Sequence, residues 1–376
     1  MKFELATAKA TGMSPASIVI NGKFLSAGAT GVHRVAEELI LALDRIAAEG
    51  GADGANVDAE VFAPRDADDR LDLKVIPFRT GGLFRKRMWE QFDLPRSASD
   101  RVVLSLCNIG PAFARRGVTM MHDAQVHITP RSYSPIFRAW YRFIQPLIGR
   151  RNAVILTVSN YSANQIALHA IAPRDKIVVV YNGVDHVLRV APKPEIVGRL
   201  GLDAGRYALA LGSLQVHKNL AVLFRAFSSP DLQDVPLVLF GADGRADFER
   251  AGFAVPQSVV FAGRVDDGEL RSMMEAALCL VFPSTTEGFG LPPLEAMMLG
   301  CPAVVAPCGA LPEVCGDAAI YADPQDVGAW VAAIRRLADN PAARADSAAR
   351  GKVHAARYTW DAAARAVLDI VRQVPT

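Results

Sequence analysis

No apolar run in this 376-residue chain approaches the ~20 residues that a membrane-spanning helix requires. Segment 1–17 lacks the apolar core of a secretory signal and reads as a loose extension before the first strand. Cysteine is scarce and odd in number: there are five, with no Cys-x-x-Cys pair, which suits a reducing cytoplasm better than a disulfide framework. Cys301, Cys308 and Cys315 recur every seventh residue, yet Pro302, Pro307, Gly309 and Pro312 break any helix that would align them. They read as small buried hydrophobes, and no metal site is expected there. A G-x-S-x-G nucleophile elbow is also missing, which removes the usual setting of a serine hydrolase.

Net charge is nearly absent too, +2 in total, until it is divided along the chain. Between Arg79 and Arg151 thirteen Arg and Lys stand against four Asp and Glu, so the remainder is slightly acidic. Aromatics are interleaved with these cations, as in Phe84-Arg-Lys-Arg-Met-Trp89 and Arg138-Ala-Trp-Tyr-Arg-Phe143. Such a surface suits anionic lipid headgroups, with Trp and Phe entering the interface. A solvated basic face is the plainer reading. Nucleic acid is not expected as a partner, because no nucleic-acid motif accompanies the charge.

A composition 51% hydrophobic and 21% charged describes a soluble globular protein, and the length accommodates two domains. Short apolar runs predict strands over 17–20, 57–62, 102–106, 118–121 and 154–158, alternating with helical patterns such as 32–48 and 163–170. After a strand from Lys176, the Pro-containing segment 188–200 is the expected linker. A second series follows, with strands over 208–211, 237–240, 259–261, 278–282 and 303–305. Alternation of this kind predicts an α/β protein of two Rossmann-like, doubly wound parallel sheets, which bind ligands beyond the carboxyl ends of their strands. The expected domains are 1–188 and 189–359, with a last helix over 360–376 returning to the first, and ligands in the cleft between the halves.

The densest chemistry lies in Ser284-Thr-Thr-Glu-Gly-Phe-Gly-Leu-Pro-Pro-Leu-Glu-Ala-Met-Met-Leu-Gly300. A buried strand leads into a Gly288/Gly290 turn and a helix from about Pro292, whose positive end can receive a diphosphate on backbone amides. Glu295, within that helix, can accept hydrogen bonds from vicinal hydroxyls, and Glu287, at the strand end, can hold a hexose. A helix-capping or dipole role is the alternative for either glutamate. The whole string resembles the signature of the retaining glycosyltransferases of family four, the large GT-B group, whose paired glutamates are separated by seven residues as here.

That resemblance extends from Ile18 to Trp360 and includes the run Gly309-Ala-Leu-Pro-Glu-Val314. It implies that Gly31, in the turn Gly28-Ala-Thr-Gly31, lies against the donor diphosphate and the acceptor. It also implies that the amides of Phe289, Gly290 and Leu291 hold the departing diphosphate. Lys218, in Gly212-Ser-Leu-Gln-Val-His-Lys-Asn219, can neutralise charge building on that leaving group. Many family members carry an Arg where this chain has Ser213 or His217, so the phosphate clamp has less charge, unless His217 is protonated. His122 is expected to contact the transferring sugar, with Asp123 holding its second nitrogen. The resemblance puts Arg264 and Val265 near the nucleobase. His127 reads as a packing histidine, and Asp66-Ala-Asp68, formally a metal-binding D-x-D, as a solvent-exposed loop.

What the resemblance implies is a retaining, metal-independent hexosyltransferase of the GT-B fold, acting by front-face substitution. GDP-mannose is favoured over UDP-sugars as donor. The acceptor is expected to be a lipid-linked saccharide of bacterial exopolysaccharide or lipopolysaccharide synthesis, reached at the anionic inner face of the membrane. A catalytically silent nucleotide-sugar-binding scaffold, a UDP-sugar transferase and an epimerase on the same fold remain the alternatives.

Overall fold

Runs rich in Val, Ile and Leu, each followed by a turn and a helix, form parallel strands in a computed structural model that describes residues 16–28, 30–50, 57–114 and 116–375. The extension expected over 1–17 falls almost wholly outside the described residues. The chain divides into two compact units, Met1–Gly183 with Thr359–Thr376, and Val184–Tyr358.

In the first unit the strands are β1 (Ala16–Asn21), β2 (Val57–Ala63), β3 (Phe78–Thr80), β4 (Val102–Ser105), β5 (Gly117–Met120), β6 (Val154–Thr157) and β7 (Ile177–Val179). They lie in the order β3-β2-β1-β4-β5-β6-β7, all parallel. The second sheet holds β8 (Ala208–Leu211), β9 (Leu237–Phe240), β10 (Val260–Gly263), β11 (Cys279–Phe282), β12 (Ala303–Val305) and β13 (Ile320–Tyr321). Its order is β10-β9-β8-β11-β12-β13, again all parallel. In each sheet the strand order reverses once, between β1 and β4 and between β8 and β11. The crevice at such a reversal is where a doubly wound sheet offers its ligand site.

Two edge strands, β3 and β13, carry no apolar run and escaped the sequence reading; an edge faces solvent on one side and so needs none. The second unit begins at Val184, earlier than the expected boundary after 188. Its opening turn Asp185–Leu188 packs on the helix Leu291–Met298 of the same unit. Segment 188–200 is likewise no free linker. Ile196 is fully buried, Lys193 N donates to Gly268 O, and the Arg271 guanidinium donates to the carbonyls of Val187, Leu188 and Val190. The last helix, Trp360–Arg372, packs within the first unit on the helix Gly31–Ala48, with Trp360 buried and Arg45 bonded to Asp361 at 2.7 Å.

The basic, aromatic segment also needs correcting. Trp89 is completely buried beside Phe62 and donates its indole N–H to Gly81 O at 2.7 Å, so it belongs to the core and cannot enter a lipid interface. Trp140 is half-buried, with Arg87 over its ring. The exposed apolar side chains there include Leu83, Phe84, Met88 and Phe92, around Arg85, Lys86 and Arg87, and also Phe113, Ile136 and Phe143. Asp93 fixes this loop by accepting from the amides of Leu83 and Phe84. No helix among the described residues is long and apolar enough to cross a membrane.

Candidate active site

The strand-order reversal in the second unit puts the loop after β8 beside the loop after β11, and main-chain bonds lock the two. Thr285 N and Thr285 Oγ1 both donate to the His217 carbonyl, at 2.8 and 3.3 Å. After a 3-10 turn over Val216–Lys218, Asn219 adopts a left-handed conformation (φ 53°), which asparagine tolerates better than most residues. Its side-chain amide donates to Pro283 O and Pro324 O, tying together the loops that follow β8, β11 and β13. Asp243, in the loop after β9, accepts from Leu214 N at 3.1 Å.

This framework brings Lys218 Nζ within 2.7 Å of Glu287 Oε1, with both side chains about one-seventh exposed (14% and 13%). The ammonium also lies 5.2 Å from the centroid of the Phe282 ring, a cation–π contact. An ammonium has three donors, so pairing with one carboxylate oxygen leaves others for an incoming anion. Glu287 is itself held from behind: Ala310 N donates to Glu287 O at 3.0 Å. Gly309 (φ +63°) lies so close that an added Cβ would stand 2.5 Å from Glu287 N. The Gly309–Val314 run singled out in the sequence is therefore the support of the glutamate.

Beyond Glu287, Gly290 caps the helix Leu291–Met298 with φ 109°, a conformation open mainly to glycine. Phe289 is buried, edge-on to Tyr358, while Leu291 at the helix start is half-exposed. Glu295, in the second turn, is buried, and His186 Nε2 lies 3.3 Å from its Oε1. His186 was missed by the sequence reading, and no spacing in the chain signals it.

His217 is buried with an unpartnered Nδ1, and Ser284 Oγ, also buried, has no hydrogen-bond partner either. Burial, and secondarily the Lys218 ammonium, push the His217 imidazole below the usual histidine range, against a smaller opposing pull from Glu287. This shift favours the neutral imidazole over a positive charge at this position. The ring offers a hydrogen bond instead. Ser213 is half-exposed, its Oγ accepting from Gln215 N at 3.3 Å. Arg264 and Val265 follow β10 at the sheet edge, two strands removed from β8, with the Arg264 side chain exposed.

In the first unit, His122 follows β5. Its amide donates to Asn108 Oδ1, its carbonyl accepts from Ser162 Oγ, and its Nε2 donates to Leu106 O at 2.8 Å. That carbonyl already fixes the neutral tautomer, the task expected of Asp123; Asp123 Oδ1 accepts from Gln125 N at 2.9 Å. Burial pushes the His122 imidazole down to about 4, against the Leu106 bond and with a small contribution from His33. Gly31 begins its helix exposed, with Thr30 Oγ1 capping His33 N at 3.4 Å. A second network sits at the β1/β4 reversal: buried Glu90 pairs with Lys23 Nζ at 2.6 Å and accepts from Asn21 Nδ2, which also reaches Ser105 Oγ. His127 bonds Gln145, and Asp66 and Asp68 are exposed. Among the described residues no cluster of three or more His, Cys, Asp or Glu is arranged to hold a metal ion.

The His122 geometry carries a pH prediction. Its folded pKa lies below the ordinary 6.5, so the unfolded chain takes up the proton first on acidification. The stabilisation is complete above pH ~6.5 and falls away towards pH ~4, a loss on the order of 3 kcal/mol. Denaturant unfolding of wild type and His122→Gln across this range should give curves that converge as pH falls; parallel curves would refute the assignment.

Comparison with known proteins gives two family matches: residues 29–188 match the model described as Glycosyltransferase Family 4, and residues 205–340 that described as Glycosyl transferases group 1. The chain is 32% identical over 268 residues to O-antigen chain mannosyltransferase B of Escherichia coli, covering 67% of this chain and 68% of that protein. It is 25% identical over 367 residues to O-antigen chain mannosyltransferase RfbU of Salmonella typhimurium, covering 92% and 96% respectively. Among solved structures, Anabaena HepE in complex with UDP and glucose superposes with a TM-score of 0.72 at 17% identity, covering 94% of this chain and 99% of that one.

Proposed function

The chain belongs to glycosyltransferase family 4, and from that premise we propose that it transfers mannose from GDP-mannose, with retention at the anomeric carbon, to a hydroxyl of a lipid-linked saccharide in bacterial surface-polysaccharide synthesis. The observation that carries the reading is the Lys218–Glu287 pair, 2.7 Å apart at the carboxyl ends of β8 and β11, beside a helix N-terminus. The mannosyltransferase relatives support the sugar.

In this reading the donor diphosphate lies on the amides of Phe289, Gly290 and Leu291 and on the Lys218 ammonium. The bond from C1 to the diphosphate oxygen breaks, the acceptor oxygen bonds C1 on the same face, and the acceptor proton passes to a diphosphate oxygen. Lys218 and the helix amides meet the growing charge, so the step requires no metal. Glu287 orients Lys218 and receives hexose hydroxyls, and Glu295 receives the ribose. Ser213 and neutral His217 donate hydrogen bonds to phosphate oxygens, and Arg264 and Val265 flank the base. From the first unit, His122 contacts a sugar hydroxyl with Asp123 beside it, and Gly31 lies against phosphate.

A screen of thermal shift and donor hydrolysis with GDP-mannose, UDP-glucose, UDP-galactose, UDP-GlcNAc and UDP-glucuronate tests the reading. GDP-mannose should both raise the melting temperature and slowly release GDP. Turnover of a UDP-sugar instead would reassign the donor, a reading favoured by the UDP-bound structural neighbour. Stabilisation without turnover in the presence of lipid-linked acceptors would favour a silent binding protein, for which Ser213 and His217, where many family members carry an Arg, are the support.

The lipid-linked acceptor makes an anionic membrane the partner of the first unit. Leu83, Phe84, Met88 and Phe92 around Arg85, Lys86 and Arg87 suit a peripheral contact. Phosphatidylglycerol vesicles at low salt should sediment the wild type and lose the variant Phe84→Ser/Phe92→Ser; equal sedimentation removes this surface from the reading.

A further inference from the structure

We propose that His186 is a positioning residue for nucleotide binding: it holds the Glu295 carboxylate in the orientation that accepts the ribose hydroxyls. The inference rests on the donor-site reading above and adds a residue to which the sequence gives no role.

Glu295 is the fifth residue of the helix Leu291–Met298, past the first turn, where backbone amides are already bonded within the helix. Its carboxylate is therefore beyond the reach of the free amides at the helix start. It is also 92% shielded from solvent, where a carboxylate needs a polar partner in place of water. The polar neighbour that can meet this need comes from far away in sequence: His186 Nε2, itself on a residue only 4% exposed, lies 3.3 Å from Oε1. With its N–H directed at Oε1, His186 restricts rotation of the carboxylate, so that Oε2 can face a pair of vicinal hydroxyls.

The turn that carries His186 is fixed on both sides. Val184 N donates to Tyr358 O at 2.9 Å, and Arg271 donates to the carbonyls of Val187 and Leu188. A histidine on a turn anchored in this way sets the position of its partner and does not merely follow it. Preorganisation lowers the ordering cost that a ligand must otherwise meet on binding. If the role of His186 is exerted through the ribose, its removal will affect only nucleotides that have ribose hydroxyls.

The test is calorimetric titration of GDP and 2′,3′-dideoxy-GDP, and of the matching uridine pair, into wild type, His186→Ala and His186→Gln. The wild type should prefer the nucleotide with ribose hydroxyls. His186→Ala should weaken that nucleotide about tenfold while leaving the dideoxy form unchanged. His186→Gln, which can place an amide nitrogen near the position of Nε2, should keep most of the preference. An equal loss for both nucleotides in His186→Ala, or an undiminished preference, overturns the inference while leaving the donor reading intact. A wild type that binds neither GDP nor UDP overturns the donor reading, and the inference falls with it.

Discussion

Lys218→Ala is expected to lower kcat by about 100- to 1,000-fold, the usual effect of removing one preorganised group that stabilises charge in the transition state. The asymmetry is the informative part. Negative charge on the diphosphate grows as the bond to C1 breaks, so an ammonium beside it interacts more strongly with the transition state than with bound donor. Donor affinity, read from nucleotide titration, should therefore fall much less than kcat. Glu287→Gln preserves shape but removes the charge that orients Lys218 at 2.7 Å, and it should lower kcat as well. Because the two side chains act as a unit, the double variant Lys218→Ala/Glu287→Gln should be little worse than Lys218→Ala alone. Full additivity would mean that the pair is not coupled. A loss confined to donor affinity would sink the assigned role of Lys218.

How far these residues were legible depends on whether their signal is local. Short branched runs between turns marked eleven of the thirteen strands among the described residues, because a strand buried on both faces must be apolar throughout. Edge strands such as Ile320–Tyr321 carry no such constraint. Lys218, Glu287 and Glu295 could be singled out because each follows a strand end within a motif. His186 could not, since the contact that marks it spans more than a hundred positions of sequence. Trp89 was misjudged for a related reason: its neighbours in sequence are cations, but its neighbours in space are Phe62 and Leu94. The downward shift of the His217 imidazole could not be read either, because burial is its main cause and a motif does not report burial.

Gly309→Ala should cost activity as well as stability, although residue 309 carries no functional group. Its φ of +63° imposes a left-handed backbone on any replacement, a strain of about 1–2 kcal/mol for an L-residue. The added Cβ would meet Glu287 N at 2.5 Å, Glu287 O at 2.8 Å and Thr286 C at 3.3 Å. These are backbone atoms, so no side-chain rotation relieves the clash, and the Glu287 segment must move. Movement breaks the 3.0 Å bond from Ala310 N and shifts the carboxylate away from Lys218. A displacement of about 1 Å at a positioning group can cost roughly 100-fold in rate. Gly201→Ala supplies the control: φ is +65° there, and nothing lies within 4 Å of the added Cβ. Both variants should lose comparable backbone stability, while only Gly309→Ala should lose kcat on that scale. Equal kcat in the two would show that the Gly309 loop does not set the position of Glu287, and that the carboxylate is held by its bond to Lys218 alone.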